Sequence, residues 1–145
     1  MAGFCDTITT NPKSKTLNTK QILMIQIPNS KRNNKYDLEE RSLKFAKRVN
    51  DYVNKLPKTI PNIENGKQLV RAAGSTGANY IEANESLGKK DFQMRIKISK
   101  KEAKESGFWL ELSQPLKENE KEKQDLIQES IELMKIFGSI LEKSK

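Results

Sequence analysis

At the centre of the chain, Ala72-Ala73-Gly74-Ser75-Thr76-Gly77-Ala78 is an unbroken run of small residues. We read it as the middle of a helix from about Asn62 to Leu87, opened by Pro61 near its first turn. Two glycines inside a helix cost roughly 1 kcal/mol each relative to alanine, so something must compensate. Small side chains let two helices approach closely, and a tight helix crossing supplies that compensation. The other reading, a loop dividing two shorter helices, stays open at this point.

The segments on either side keep a helical period. Upstream, Asp37 is the expected N-cap, with Glu39 and Glu40 in the first turn, where negative charge meets the helix dipole. Leu38, Phe45, Val49, Tyr52, Val53 and Leu56 recur at spacings of three, four and seven, one apolar stripe that Pro57 ends. Downstream, a third helix is expected from about Lys89 to Ser113, with Gly88 before it and Pro115 after it. Phe92, Ile96, Ser99, Ala103 and Leu110 share one of its faces; Met94, Ile98, Trp109 and Leu112 share a second. A fourth is expected from about Glu118 to Lys143. Its stripe of Leu126, Leu133, Phe137, Ile140 and Leu141 is widened by Ile127, Ile131, Met134 and Ile136. Apolar faces wider than one stripe imply more than one packing partner. In a chain of four helices they predict self-association, with Met94, Ile98, Trp109 and Leu112 at the contact. Short linkers favour an all-α, up-and-down antiparallel four-helix bundle over residues 36–145.

The first 35 residues differ. They are rich in Thr, Asn, Lys and Ser and hold six Lys/Arg against the single acid Asp6. They read as a basic, polar, flexible tail, apart from the apolar patch Ile22–Ile27, which could form a short strand or dock on the body or on a neighbouring subunit. The whole chain has 145 residues, room for one ordinary domain, and a net charge of +8, most of it in this tail. No basic start followed by an apolar core and a cleavage site is present, so a cytoplasmic protein is expected. No run approaches the ~20 apolar residues of a membrane span.

Composition also excludes chemistry. There is no histidine, which removes the commonest general base, His-containing triads and His-ligated metals. Cys5 is the single cysteine, so there is no intramolecular disulfide and no cysteine zinc cluster. Glu82 and Glu85, then Glu102 and Glu105, have the i,i+3 spacing of di-iron ligands, but no histidine completes either pair. Gly74-Ser75-Thr76-Gly77 lacks the spacing and the lysine of a phosphate loop. The expectation is a protein without catalytic residues, metal or cofactor.

Charge is the positive signal. Between Lys89 and Lys104 there are seven basic residues and two acids, whereas residues 118–142 hold seven acids and three lysines. Lys90, Lys97, Lys101 and Lys104 share the face of helix three away from both apolar stripes, with Lys100 at its edge. Such a row reads either as a solvated face or as an electrostatic footprint for nucleic-acid phosphates. Aromatic residues are only 6%, so phosphate contact rather than base stacking is the expected mode. Along helix two, Arg71, Ser75, Asn79, Glu82 and Ser86 line one side. They are either a surface stripe or a hydrogen-bonded set at a subunit contact, with Asn79 and Glu82 at its centre.

Three strings carry a family resemblance: Tyr36-Asp37-Leu38-Glu39-Glu40-Arg41; Arg71 to Ala83; and Lys89-Lys90-Asp91-Phe92 followed by Lys101-Glu102-Ala103-Lys104-Glu105 and Phe108-Trp109-Leu110-Glu111-Leu112. Residues 36–143 are similar to the bacterial four-helix-bundle proteins encoded in intervening sequences of the large-subunit (23S) ribosomal RNA gene. The resemblance implies an up-and-down bundle that assembles as a homopentamer around a channel. It also implies kinship with the accessory protein of diversity-generating retroelements, which binds nucleic acid and a reverse transcriptase. No catalytic residue comes with it. The lysine row on helix three is the position that best matches its basic surface, although here the body beyond the tail is only slightly basic.

Overall fold

The computed structural model describes residues 34–145. The readings made for residues 1–33, the basic tail with Cys5 and the apolar patch Ile22–Ile27, lie outside the described residues. Helix α1 is Asn34–Asn54, α2 Ile60–Asn84, α3 Lys89–Leu112 and α4 Glu120–Lys143, with a single 3-10 turn, Lys117–Asn119, before α4. No strand occurs among the described residues.

Within the unit Leu38–Lys145, each helix runs antiparallel to its neighbours. For α1 and α2, Asn84 donates to Glu39 near one end (2.7 Å), and a Cβ on Gly66 would lie 3.1 Å from Val53 near the other. Ser99 of α3 donates to the Thr76 carbonyl of α2 at 3.0 Å. Gln93 of α3 donates to the Ser144 carbonyl just past α4 at 2.8 Å. The ring closes between α1 and α4, where Arg41 is bidentate to Glu129 (2.7 and 2.9 Å) and also reaches Glu132, and Lys55 pairs with Glu122. This is the up-and-down bundle that the short linkers predict.

The core follows from the apolar period. Phe45, Val49 and Tyr52 of α1 are at most 1% exposed, and so are Leu69, Ile96, Leu110, Leu126, Leu133 and Phe137. Burial of each large side chain contributes about 1.5–3 kcal/mol. The Tyr80 and Phe137 rings meet at 5.5 Å between centroids. One end of the bundle is tied by a buried amide: Asn62 donates to the Pro57 and Gln114 carbonyls (3.0 and 2.9 Å) and accepts from the Gln114 amide (2.9 Å). Beside it, Tyr52 Oη and Ser113 Oγ share a buried hydrogen bond of 2.6 Å.

The small-residue run lies in one unbroken helix, so the loop reading is ruled out. Its two glycines do different work. A Cβ on Gly77 would lie 3.2 Å from Ser42 Cβ, so the tight crossing is real and is made with α1. Gly74 faces open space: among the described residues nothing would lie within 4 Å of a Cβ at this position. Ser42 Oγ is buried at this crossing and has no hydrogen-bond partner among the described residues.

Four boundaries differ from the sequence reading. The first helix begins at Asn34, so Asp37 lies inside it and not at its N-cap. The second begins at Ile60, because extended Thr59 is the N-cap and accepts from the Asn62 amide (3.2 Å). It ends at Asn84 and not Leu87; Ser86 Oγ donates back to the Ala83 carbonyl, a local bond that competes with continuing the helix. The fourth begins at Glu120, its expected first residues forming the 3-10 turn.

Candidate nucleic-acid interface

Helix α3 carries the site. Gly88, extended, precedes it, and Asp91 places an acid in its first turn, where the dipole favours negative charge. Ile96, Ser99, Ala103 and Leu110 are buried and fix the rotation of the helix; Phe92 is half-buried on the same side. That rotation turns Lys90, Lys97, Lys100, Lys101 and Lys104 outward, and all five are exposed.

What sets these lysines apart is that they share one face of one helix, since most described cations, Lys44, Lys47 and Arg48 among them, are also outside ion pairs. Arg41, Lys55, Arg71 and Lys121 are each paired with carboxylates. None of the five α3 lysines forms an ion pair among the described residues. The Lys100 stem runs past Gly138 of α4: its Cε lies 3.5 Å from where a Cβ on that glycine would stand. The Lys100 charge also helps hold the Glu142 carboxyl below the usual value, an effect led by the Lys145 hydrogen bond.

The polar set on α2 is bonded within the chain. Arg71 reaches Glu102 (3.3 Å) and Glu105 of α3. Burial works against the Arg71 charge, but the two carboxylates outweigh it and raise its pKa. Asn79 accepts from Arg95 (3.1 Å) and donates to the carbonyl and hydroxyl of Ser75 (2.9 and 3.0 Å). Glu82 is exposed. Of the four apolar residues expected at a subunit contact, Met94 and Leu112 are 50% and 45% exposed, whereas Ile98 and Trp109 are half-buried. Trp109 donates its indole N–H to Glu105 (3.1 Å).

One aromatic on this face escapes a reading based on composition. Phe108 is 56% exposed and stands eighteen residues, about five helical turns, after Lys90, so it shares the azimuth of the lysine row. The signal was in the helical spacing, not in the low aromatic content. Its ring meets that of Trp109 edge to face, with centroids 5.0 Å apart. Beside it is a hollow of about 250 Å³ between α3 and α4, lined by Lys104, Gly107, Glu111, Ile127, Ile131 and Met134 among others. A second cleft, of about 440 Å³, opens between α1 and α2 at Val53, Ile63, Gly66 and Val70. Among the described residues no cluster of three or more His, Cys, Asp or Glu could hold a metal ion, and no helix is long and apolar enough to cross a membrane.

Comparison with known proteins adds three findings. The family model described as 23S rRNA-intervening sequence protein matches residues 34–139. No curated protein matches the sequence. Among solved structures, the chain resembles a crystal structure from Bacteroides thetaiotaomicron VPI-5482, described as a protein with unknown function from the S23 ribosomal protein family. The TM-score is 0.63 at 28% identity, over 76% of this chain and 99% of the other.

Proposed function

Because the chain belongs to the 23S rRNA-intervening sequence protein family, we propose that it is a non-enzymatic, oligomeric adaptor that binds nucleic-acid phosphates through Lys90, Lys97, Lys100, Lys101 and Lys104. The observation that carries this reading is the clustering of five exposed lysines on one face of α3, none of them ion-paired among the described residues. Phosphate binding of this kind follows backbone and shape rather than base sequence. Assembly would repeat the row around an axis, and weak contacts then add through multivalency. The exposed Met94 and Leu112 support self-association, and the number five rests on the family resemblance alone.

The test is fluorescence anisotropy with labelled structured RNA and duplex DNA across a salt series. Binding should fall steeply with salt. Each phosphate-contacting lysine changed to glutamine should lower the slope of log K against log salt by about one. No binding at low salt overturns the reading. A monomeric mass by light scattering at micromolar concentration overturns the oligomer.

A second reading is a protein-interaction scaffold, with a partner such as a reverse transcriptase. The apolar cleft between α1 and α2 favours it. A pull-down that survives nuclease treatment would support it over the first.

A further inference from the structure

We propose that Phe108 is a stacking platform for one unpaired nucleobase, with Lys101 and Lys104 on the adjoining phosphates, so that α3 prefers single-stranded or looped nucleic acid to duplex. This rests on the reading of the lysine row as a phosphate-binding face and names the class of nucleic acid it takes. A single exposed aromatic is by itself unremarkable on a protein surface. Here its position, its support and its surroundings converge.

The position is within the row. Lys104 and Lys101 precede Phe108 by four and seven residues on one helix face, about 6 Å and about 10 Å along the axis. A nucleotide whose base lies on the ring therefore has its own and the neighbouring phosphate beside two exposed ammonium groups. The support is a chain of contacts. Arg71 of α2 holds Glu105, Glu105 accepts the Trp109 indole N–H, and Trp109 holds the Phe108 ring edge to face. A ring fixed before binding loses little freedom when a base stacks on it.

The surroundings suit a base. The hollow of about 250 Å³ beside the ring has Ile127, Ile131 and Met134 in its wall, and Gly107 adds no side chain to it. It is smaller than the roughly 300–1,000 Å³ of pockets that enclose whole ligands, and so fits one planar ring. Glu111 lies about one turn beyond Phe108, on the side away from the lysines. Its carboxylate repels phosphate and can accept an N–H from a base, so the strand is directed back toward Lys104. A duplex keeps its bases stacked inside the helix. It can meet the lysines but cannot place a base on Phe108.

The experiment uses the full chain with a labelled single-stranded RNA and the duplex of the same sequence, comparing wild type with Phe108→Ala and Phe108→Tyr. Stacking on one aromatic predicts that Phe108→Ala weakens single-strand binding roughly five- to a hundred-fold and leaves duplex binding unchanged, with Phe108→Tyr close to wild type. The chain has one tryptophan, so single-strand binding should also change Trp109 fluorescence while duplex binding does not. Equal losses on both RNAs, or no loss on either, overturn the inference while the phosphate-binding reading stands. Failure of the wild type to bind either RNA at low salt overturns both. A fall in particle mass for Phe108→Ala marks the ring as a contact between copies or with a protein, and overturns the inference too.

Discussion

Replacing Gly107 with alanine sets helix propensity against packing. A Cβ at Gly107 would lie 2.9 Å from Ser130 Oγ and 3.9 Å from Ser130 Cβ. Ser130 is buried, and its hydroxyl donates to the Ile127 carbonyl at 2.7 Å, so the oxygen cannot turn away without breaking that bond. The propensity gain of Gly→Ala is about 1 kcal/mol. The overpacking cost in a close-packed interior is about 1–3 kcal/mol. Gly107→Ala should therefore range from neutral to about 2 kcal/mol destabilising. Gly74→Ala, with open space around its Cβ, is the control for propensity and should stabilise by about 1 kcal/mol. In a Ser130→Ala background the oxygen is gone and the remaining 3.9 Å carbon contact is ordinary, so Gly107→Ala should recover the propensity gain. The coupling in the double-mutant cycle should be about 1–3 kcal/mol in favour of the double variant. Urea denaturation at one fixed protein concentration measures all four corners, because self-association would otherwise shift the midpoint. A Gly107→Ala variant as stabilised as Gly74→Ala, or a coupling below about 0.5 kcal/mol, would refute the steric reasoning.

Other outcomes follow from single contacts. Asn62→Ala removes three part-buried hydrogen bonds that tie the two turns together, so unfolding free energy should fall by ~2–3 kcal/mol in the same denaturation assay. Burial, opposed by the Ser113 hydrogen bond, raises the Tyr52 phenol above its usual 10.0, and burial does the same at Tyr80. The fold favours the neutral phenol, so this stabilisation is complete below pH 10 and is lost as pH rises through the folded value. Tyr52→Phe should therefore show a shallower loss of stability above pH 10 than wild type, read by denaturation across an alkaline series. Arg41→Lys cannot keep the bidentate contact to Glu129 and should cost about 1 kcal/mol, less at high salt.

The bundle was legible in the sequence because apolar spacing is a local property. Leu38, Phe45, Val49 and Tyr52 are the buried stripe of α1, Leu56 is buried just past its end, and Gly88, Pro57 and Pro61 punctuate the helices where their backbone chemistry requires. Boundaries were less legible where side chains bond their own backbone, as at Thr59 and Ser86. The lysine row was legible for the same reason as the apolar stripes, since one rotation of α3 sets both. That none of its lysines is ion-paired among the described residues was not, because spacing alone does not say which way the six acids of α4 face. Packing turns Glu122, Glu129 and Glu132 toward α1.

Gly74 and Gly77 mark the limit most clearly. Three residues apart in one run, they are indistinguishable by propensity, and the sequence by itself determined only that a helix through them needs compensation. Which of them touches another helix depends on where Ser42 arrives, thirty-five residues upstream. The same holds for Phe108 and Trp109, adjacent in sequence: one stands half out of the surface and the other is held by Glu105. Local pattern determined the helices and their faces. Only the long-range packing of α1 on α2 and of α3 on its neighbours decided which small residue is a contact, which cation is paired and which aromatic is exposed, because each of these depends on a neighbour that sequence spacing does not specify.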